Sequence, residues 1–385
     1  MEIYVHIPFC VQKCAYCDFP SFCADRETME TYISCLLAEA EQCSAFIQES
    51  IQTVYIGGGT PSILPDDLWE KLLSGLNHSF ALNNVFEFTS ECNPGTLREN
   101  WLKISRGYGV NRISMGIQAS EEKQLQTLGR IHGFRDAVNS VEMIRKSGFQ
   151  NLNADLIFGF PGQSVKDWKE TLKKILFLAP DHISAYGLIP EEGTPLGDAI
   201  LNRRVQLPPE EEERDMYSIL QQELKRAGFY QYEISNFARP GYACLHNMGY
   251  WLQKQYIGIG LASSSMIYVS SPALSYRRVK NEEIFRQYID SFRLNQRRFA
   301  EDETIRFPET CFETMMLHLR MNTGVSETVF QRLHHVSILN LYQNNLQKYE
   351  KDHLIRCSGG RWKLTEKGKD LQNALLVDLL SPDHD

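Results

Sequence analysis

The stretch MEIYVHIPFCVQKCAYCDF (1–19) joins a short apolar run to three cysteines. The run EIYVHIP (2–8) has the β-branched and aromatic content of a strand. Cys10, Cys14 and Cys17 follow it at once in a C-x3-C-x2-C spacing, with no fourth cysteine beside them. Thiolates bind zinc, copper(I) or iron–sulfur clusters. Structural zinc wants four closed ligands, usually as two pairs, and the nearest histidine, His6, lies within the strand. Three cysteines suit a [4Fe-4S] cubane in which the protein holds three irons and an exogenous ligand takes the fourth. The competing readings are a chance spacing and reduced thiols that merely pack. The position of the three residues, after the first strand of a strand–helix series, is where a site loop belongs.

That series runs through the first 228 residues. QTVYIGG (52–58), NVFEFTSE (84–91), VNRISMGIQ (110–118), LNADLIFG (152–159) and HISAYGL (182–188) read as further strands. Helical stretches are expected at 28–48, 66–79, 96–107, 121–146 with a break near Gly133, 165–178 and 210–227. Pro65-Asp66-Asp67 and Ser164 mark helix starts, and Gly109, Gly148 and Gly228 mark helix ends. Sixfold alternation predicts an α/β fold with a parallel sheet and right-handed crossovers. The strands read as near-continuous apolar runs, the pattern of a sheet covered on both faces. An open doubly wound sheet and a barrel both satisfy the alternation. The strand ends discriminate. The cysteines, Gly57-Gly58-Gly59-Thr60, Glu91, Gln118, Asp155 and Tyr186 all fall at carboxyl ends, and residues there converge on one rim when the sheet curves. With six strands the barrel is expected to be incomplete.

Beyond residue 228 the pattern changes. YQYEISNF (230–237) reads as one more strand, RPGYACLHNMGYW (239–251) as a loop, and 280–300 as a solvated helix and linker. From about 305 the chain is expected to be helical. HLIRCSGGRWKLTEKGKDL (353–371) reads as a hairpin turning at Gly359-Gly360, followed by a helix. The expected domains are a partial barrel (1–228), an extension and linker (229–304), and a smaller, mostly helical, winged-helix-like domain (305–385).

Composition narrows the classes. Hydrophobic residues make up 43% of the 385, a globular proportion, and the formal net charge is −8. That charge argues against nucleic acid as a partner. No apolar stretch is long enough to span a bilayer, and no basic segment precedes an apolar run at the start, so a cytoplasmic location is expected. Ten cysteines without a secretory signal do not form a disulfide framework. Cys23, Cys35, Cys43, Cys92, Cys244, Cys311 and Cys357 read as small buried or half-buried residues.

Cys10, Cys14 and Cys17, with Tyr16 before the last, resemble the signature of the radical S-adenosylmethionine (SAM) superfamily. That resemblance implies a partial (β/α)6 barrel and a [4Fe-4S] cluster whose open iron is chelated by the methionine end of SAM. The resemblance continues through GGGTPS (57–62), ECNP (91–94), SMGIQ (114–118), LGRIH (128–132) and DLIFGFPGQ (155–163). Together these motifs resemble the family of oxygen-independent coproporphyrinogen III oxidase and heme chaperones. By resemblance, Tyr4, Tyr16, Gly58, Gly59, Thr60, Glu91, Gln118, Arg130 and Asp155 are expected to contact SAM. Each also has its own reading. Gly58 and Gly59 allow close backbone approach, or simply a tight turn before a helix. Glu91 can bind a ribose hydroxyl or an ammonium. Arg130 offers a fork for a carboxylate, or forms a surface ion pair. Tyr4 and Tyr16 are otherwise ordinary packing aromatics.

Two features separate the branches. The oxidase pattern carries an extra cysteine two residues after the third, where this chain has Phe19, and the oxidase has a longer segment before its first strand. His246-Asn247-Met248-Gly249-Tyr250-Trp251 resembles the H-N-x-x-Y-W motif associated with heme binding in the chaperone branch. Histidine is an ordinary axial ligand of heme iron, and two aromatics offer a macrocycle a flat wall. The bland reading of the same six residues is a turn packed under the C-terminal domain. His246, Asn247, Tyr250 and Trp251 are therefore expected to bind heme. The expected function is heme binding and transfer to an acceptor protein, with an electron donor for the cluster. The alternative is a radical enzyme, a coproporphyrinogen decarboxylase or a related C-methylating enzyme. A cluster protein limited to electron transfer fits less well, because the SAM-contact set is complete.

Overall fold

Strand residues alternate between two environments, and this positions everything else. In the computed structural model, which describes residues 1–294 and 296–380, six parallel strands pair in chain order. They are β1 (Glu2–Ile7), β2 (Thr53–Gly58), β3 (Glu87–Cys92), β4 (Arg112–Gln118), β5 (Asn151–Phe158) and β6 (His182–Gly187). Ile3, Val5, Ile7, Val54, Ile56, Phe88, Ile113, Met115, Leu152 and Ala154 are buried in one apolar core with the helices that cover the sheet. The residues between them, on the opposite face, are largely polar: Tyr4, His6, Tyr55, Glu87, Thr89, Glu91, Arg112, Ser114, Asn153 and Asp155. The strands thus have one apolar and one polar face, not the apolar runs expected. The reason is that the inner face lines an interior filled by hydrogen-bonded side chains.

The crossover helices have ordinary causes. The helix Arg26–Ser44 starts at Asp25, whose carboxylate accepts from the Thr28 N–H at 2.9 Å. A capping box of Ser164 and Asp167 opens Val165–Phe177. The expected break near Gly133 is present between the helices Glu122–Thr127 and Phe134–Lys146.

β1 and β6 do not pair with each other, so the six-stranded barrel is open. Later strands extend both edges: β7 (Tyr230–Gln231), β8 (Asn236–Ala238), β9 (Tyr256–Ile259), β10 (Ser264–Tyr268), β11 (Tyr276–Asn281) and β12 (Phe299–Ile305). The full order is β12-β11-β10-β9-β1-β2-β3-β4-β5-β6-β8-β7. The single strand expected over 230–237 is the two short strands of a hairpin. The stretch 280–300 holds the helix expected there, Phe285–Arg293, but the end of β11 and the start of β12 in place of a solvated linker. It is tied down by Glu39, which is fully buried on the first helix. Glu39 accepts from Asn281 Nδ2 (2.7 Å), Tyr288 OH (2.7 Å) and Arg297 Nη2 (2.6 Å).

The C-terminal segment has its own core of Met315, Phe330, Tyr342, Leu346 and Trp362. Helices Glu309–Arg320, Glu327–His334 and Ile338–Lys351 pack with β13 (Val325–Ser326), β14 (Ile355–Ser358) and β15 (Arg361–Leu364), in the order β13-β15-β14. The hairpin turns at Gly359 and Gly360, both left-handed at φ 59° and 69°. Helices with a small antiparallel sheet are the shape expected; residues 381–385 of that expected domain lie outside the described residues. No helix among the described residues is long and apolar enough to cross a membrane.

Candidate functional site

The three cysteines open onto one cleft at the carboxyl ends of β1–β6, about 450 Å³ in volume and continuous with solvent. Their loop is fastened on several sides. Cys10 N–H donates to Phe22 O (3.0 Å), Ala15 N–H to Leu128 O (3.1 Å), and Leu196 N–H to Ala15 O (2.8 Å). His6 Nε2 lies 3.0 Å from the Pro20 carbonyl, just past the loop. Burial pushes the Cys10 and Cys17 thiols upward, so metal ligation is what would hold them as thiolates. Thr60 Oγ1 is 3.6 Å from Cys10 Sγ, and Arg130 Nη1 donates to Cys14 Sγ at 3.2 Å. Among the described residues no three cysteine, histidine or carboxylate side chains converge on a point where one ion would sit. Three thiols on one cleft suit a cluster, in which each binds a separate iron.

Two half-buried carboxylates face the same cleft. Glu91 accepts from Tyr55 OH (2.8 Å) and from Gly58 N–H (3.1 Å). Burial, with the neighbouring Asp155 carboxylate, pushes Glu91 up to about 7. Asp155 accepts from Ser114 Oγ (2.9 Å) and Asn153 Nδ2 (2.8 Å), and burial raises it too. Neither is in any of the ion pairs within 4 Å among the described residues. A pair of carboxylates that face an open cleft with no cation in an ion pair to either is a seat for a ligand ammonium.

The other expected contacts divide. Gly58, Gly59, Thr60, Tyr16, Gln118 and Arg130 all line the cleft. Gln118 ends β4 in a left-handed conformation, φ 69°. The two glycines also serve the fold: a Cβ on Gly58 would stand 2.4 Å from the His6 ring, and one on Gly59 2.6 Å from the Phe9 carbonyl oxygen. Arg130 is not a surface ion-pair residue. It is largely buried and donates to Cys14, to Asn93 Oδ1 and, at 2.7 Å, to the Gly116 carbonyl. Tyr4 packs below the cleft, with its hydroxyl 3.0 Å from His6 Nδ1 and its ring stacked on Tyr55 at 6.3 Å. Asn93, Ser114 and Tyr186 line the cleft as well, and only Tyr186 stood out by position. Asn93 lies inside the ECNP motif and holds Thr60 Oγ1 at 2.8 Å. Phe19 is 58% exposed at the cleft mouth.

The HNMGYW segment lies at the other end of the barrel. It is not a loop but the helix Leu245–Trp251. Its N-terminal N–H groups are capped by Glu87, the first residue of β3, which accepts from Leu245 N (2.9 Å) and His246 N (3.1 Å). His246 is 1% exposed. Its Nδ1 is 2.8 Å from Thr53 Oγ1, its Nε2 is 2.9 Å from Tyr250 OH, and its ring stacks on Tyr55 at 5.3 Å. Burial, and the nearby Arg112 charge, push His246 down to about 3, so it is neutral. Asn247 and Trp251 are half-buried. Trp251 faces the C-terminal domain, where the Arg320 guanidinium stacks on it at 4.5 Å. The segment therefore closes the floor of the barrel, and both His246 nitrogens are engaged.

Residues 4–175 match the model of the radical SAM superfamily, and residues 308–371 match the HemN C-terminal domain. With the barrel and the cysteine loop, these matches define a radical SAM protein, a class that carries a [4Fe-4S] cluster and SAM. The chain is 34% identical to the heme chaperone HemW of Bacillus subtilis (strain 168) over 372 residues, covering 96% of each. It is 33% identical to the heme chaperone HemW of Escherichia coli (strain K12), covering 98% of this chain and 97% of that one. The chain belongs to the HemW family. Coproporphyrinogen III oxidase (HemN) from Escherichia coli, a radical SAM enzyme, has the same fold: the TM-score is 0.84 at 20% identity, over 98% of this chain and 89% of that one.

Proposed function

We propose that the protein is a heme chaperone, which binds heme and passes it to an acceptor protein, and which keeps a radical SAM centre in its barrel. The observation that carries this is likeness to HemW proteins along the whole chain, 96% of each in the first comparison, with Phe19 where the oxidase pattern has a cysteine. Cys10, Cys14 and Cys17 hold the [4Fe-4S] cluster. Glu91 and Asp155 receive the SAM ammonium, Gly58 to Thr60 and Gln118 border the cofactor, and Tyr16 packs near its adenosyl group. Arg130 braces the cysteine loop through Cys14 and Asn93. A SAM held by these residues would supply a sulfonium carbon–sulfur bond open to one-electron reduction by the cluster. The chain's part is to orient that cofactor and exclude water from it.

His246, Asn247, Tyr250 and Trp251 are the proposed heme contacts. Ligation through His246 needs a form in which the ring has let go of Thr53 or Tyr250, because the closed helix leaves no nitrogen free. The acidic net charge and the lack of a membrane-crossing helix among the described residues accord with a cytoplasmic protein without nucleic-acid partners.

The experiment is a comparison under anaerobic conditions. Reconstituted protein is given heme in one arm, and coproporphyrinogen III with SAM and reductant in the other. Retained heme without decarboxylation is the expected result. Turnover to protoporphyrinogen would replace the chaperone reading with the oxidase one.

A further inference from the structure

The HNMGYW helix and the SAM cleft lie at opposite ends of the barrel, yet buried contacts join them without a gap. The first route starts at His246. Its ring is held edge-on by Thr53 Oγ1 and Tyr250 OH, at 2.8 and 2.9 Å, and lies flat against Tyr55. The Tyr4 ring also lies against Tyr55, with centroids 6.3 Å apart, and the Tyr55 hydroxyl donates to Glu91 Oε1 at 2.8 Å. Glu91 Oε2 takes the Gly58 N–H. The second route starts two residues earlier, at the helix N-cap. Cys244 N–H donates to Tyr232 OH (3.3 Å), which meets His182 Nε2 (2.8 Å). His182 Nδ1 meets Asn153 Oδ1 (2.6 Å), and Asn153 Nδ2 donates to Asp155 Oδ1 (2.8 Å). Each route ends on one of the two carboxylates that face the cleft.

We infer that the HNMGYW helix is a positioning element of the SAM site: His246 sets the Tyr55 ring, and Tyr55 sets Glu91 for the SAM ammonium. The inference rests on the SAM reading of the cleft and adds a role for His246 that is separate from heme. A packed interior transmits such constraint because its side chains have few alternative arrangements. Tyr55 lies against both the His246 and Tyr4 rings and borders the open cleft, so the imidazole is one of the few groups that fix its tilt. Remove the imidazole and the ring gains a space to turn into, carrying its hydroxyl off Glu91. Glu91 then keeps only the Gly58 N–H and loses its fixed direction into the cleft. Trp251, on the outer side of the same helix, meets Arg320 of the C-terminal domain, so that domain bears on the same element.

The test is a double-mutant cycle on the cluster-reconstituted full chain, read as the equilibrium dissociation constant for SAM. Tyr55→Phe and His246→Ala each raise that constant by about ten-fold, a size usual for coupling between sites. Because both act on the same hydrogen bond, the double variant binds SAM no more weakly than Tyr55→Phe alone. His246→Gln, which refills much of the space against Tyr55, recovers part of the loss. If His246→Ala does not fold, Thr53→Val removes only the hydroxyl at Nδ1 and is expected to give about a three-fold change, the worth of one hydrogen bond. Wild-type affinity in the His246 or Thr53 variants overturns the inference, as does a double variant whose loss is the product of the two single losses. Wild-type protein that binds no SAM overturns the reading of the cleft itself, a different failure.

Discussion

Replacing Glu91 by Gln should make the SAM-free protein more stable at pH 8 while weakening its hold on SAM. Glu91 is half-buried beside Asp155, and desolvation with the Asp155 charge pushes it from 4.5 up to about 7. Its folded state therefore binds protons more tightly than the unfolded chain does. Stability falls as pH rises from 4.5 towards 7, and the full penalty is present above 7. A displacement of that size corresponds to about 3 kcal/mol of ionisation cost. Glutamine carries no charge, but its single carbonyl can satisfy only one of Tyr55 OH and Gly58 N–H, a loss of about 1 kcal/mol. The net gain at pH 8 is about 2 kcal/mol. A chain of this length has an unfolding entropy of roughly 0.8 kcal/mol/K, so the melting temperature rises by about 2 to 3 °C. At pH 5 most of the wild-type penalty is gone and so is the advantage. The assay is thermal unfolding of matched preparations at both pH values, without SAM. A variant that is less stable than wild type by the same amount at both would refute the reasoning, because Glu91 would then be paid for by a partner in the folded protein.

Other outcomes follow from the same geometry. SAM affinity should rise as pH increases through about 7 and level off above it, because the SAM ammonium favours ionised Glu91, with Asp155, Arg112 and Tyr55 as its charged or titratable neighbours; flat affinity from pH 6 to 8 would count against Glu91 as the seat. Heme and SAM should weaken each other's binding by the same factor, since heme iron can take His246 only by drawing it off the floor that steadies Tyr55; titration of each ligand with and without the other measures this, and independent binding would separate the two sites. Gly58→Ala should cost about 1–3 kcal/mol, because φ is 107° and the added Cβ would meet the His6 ring; unchanged urea unfolding would contradict that placement.

Much of the barrel was legible because crossover helices and parallel strands impose their periods on the chain. All six strands stand where the sequence reading put them, with Glu91 and Gln118 at or next to their carboxyl ends, whereas Asp155 sits three residues before the end of β5. The polar inner face was harder to see. Tyr55, Arg112, Ser114, Asn153 and His182 interrupt apolar runs singly, and only the pairing register shows that they share an interior. The HNMGYW helix was hidden by its shortness, its upstream Pro240-Gly241, and the glycine inside it. Gly249 is required because a Cβ there would overlap the buried carboxylate of Glu2, a contact between residues far apart in the chain. The extension of the sheet by β9 to β12 likewise depends on pairing at the β1 edge, which no local pattern announces.

The account stands first on what the cysteine loop holds. Iron, sulfide and zinc should be measured on anaerobically reconstituted wild type and on a variant with Cys10, Cys14 and Cys17 all changed to serine. The wild type should contain iron and sulfide in the equal amounts of a [4Fe-4S] cluster, with a paramagnetic signal in the reduced state that shifts on adding SAM, and the variant should contain neither. Zinc in the wild type, or no metal bound by those thiols, would contradict it.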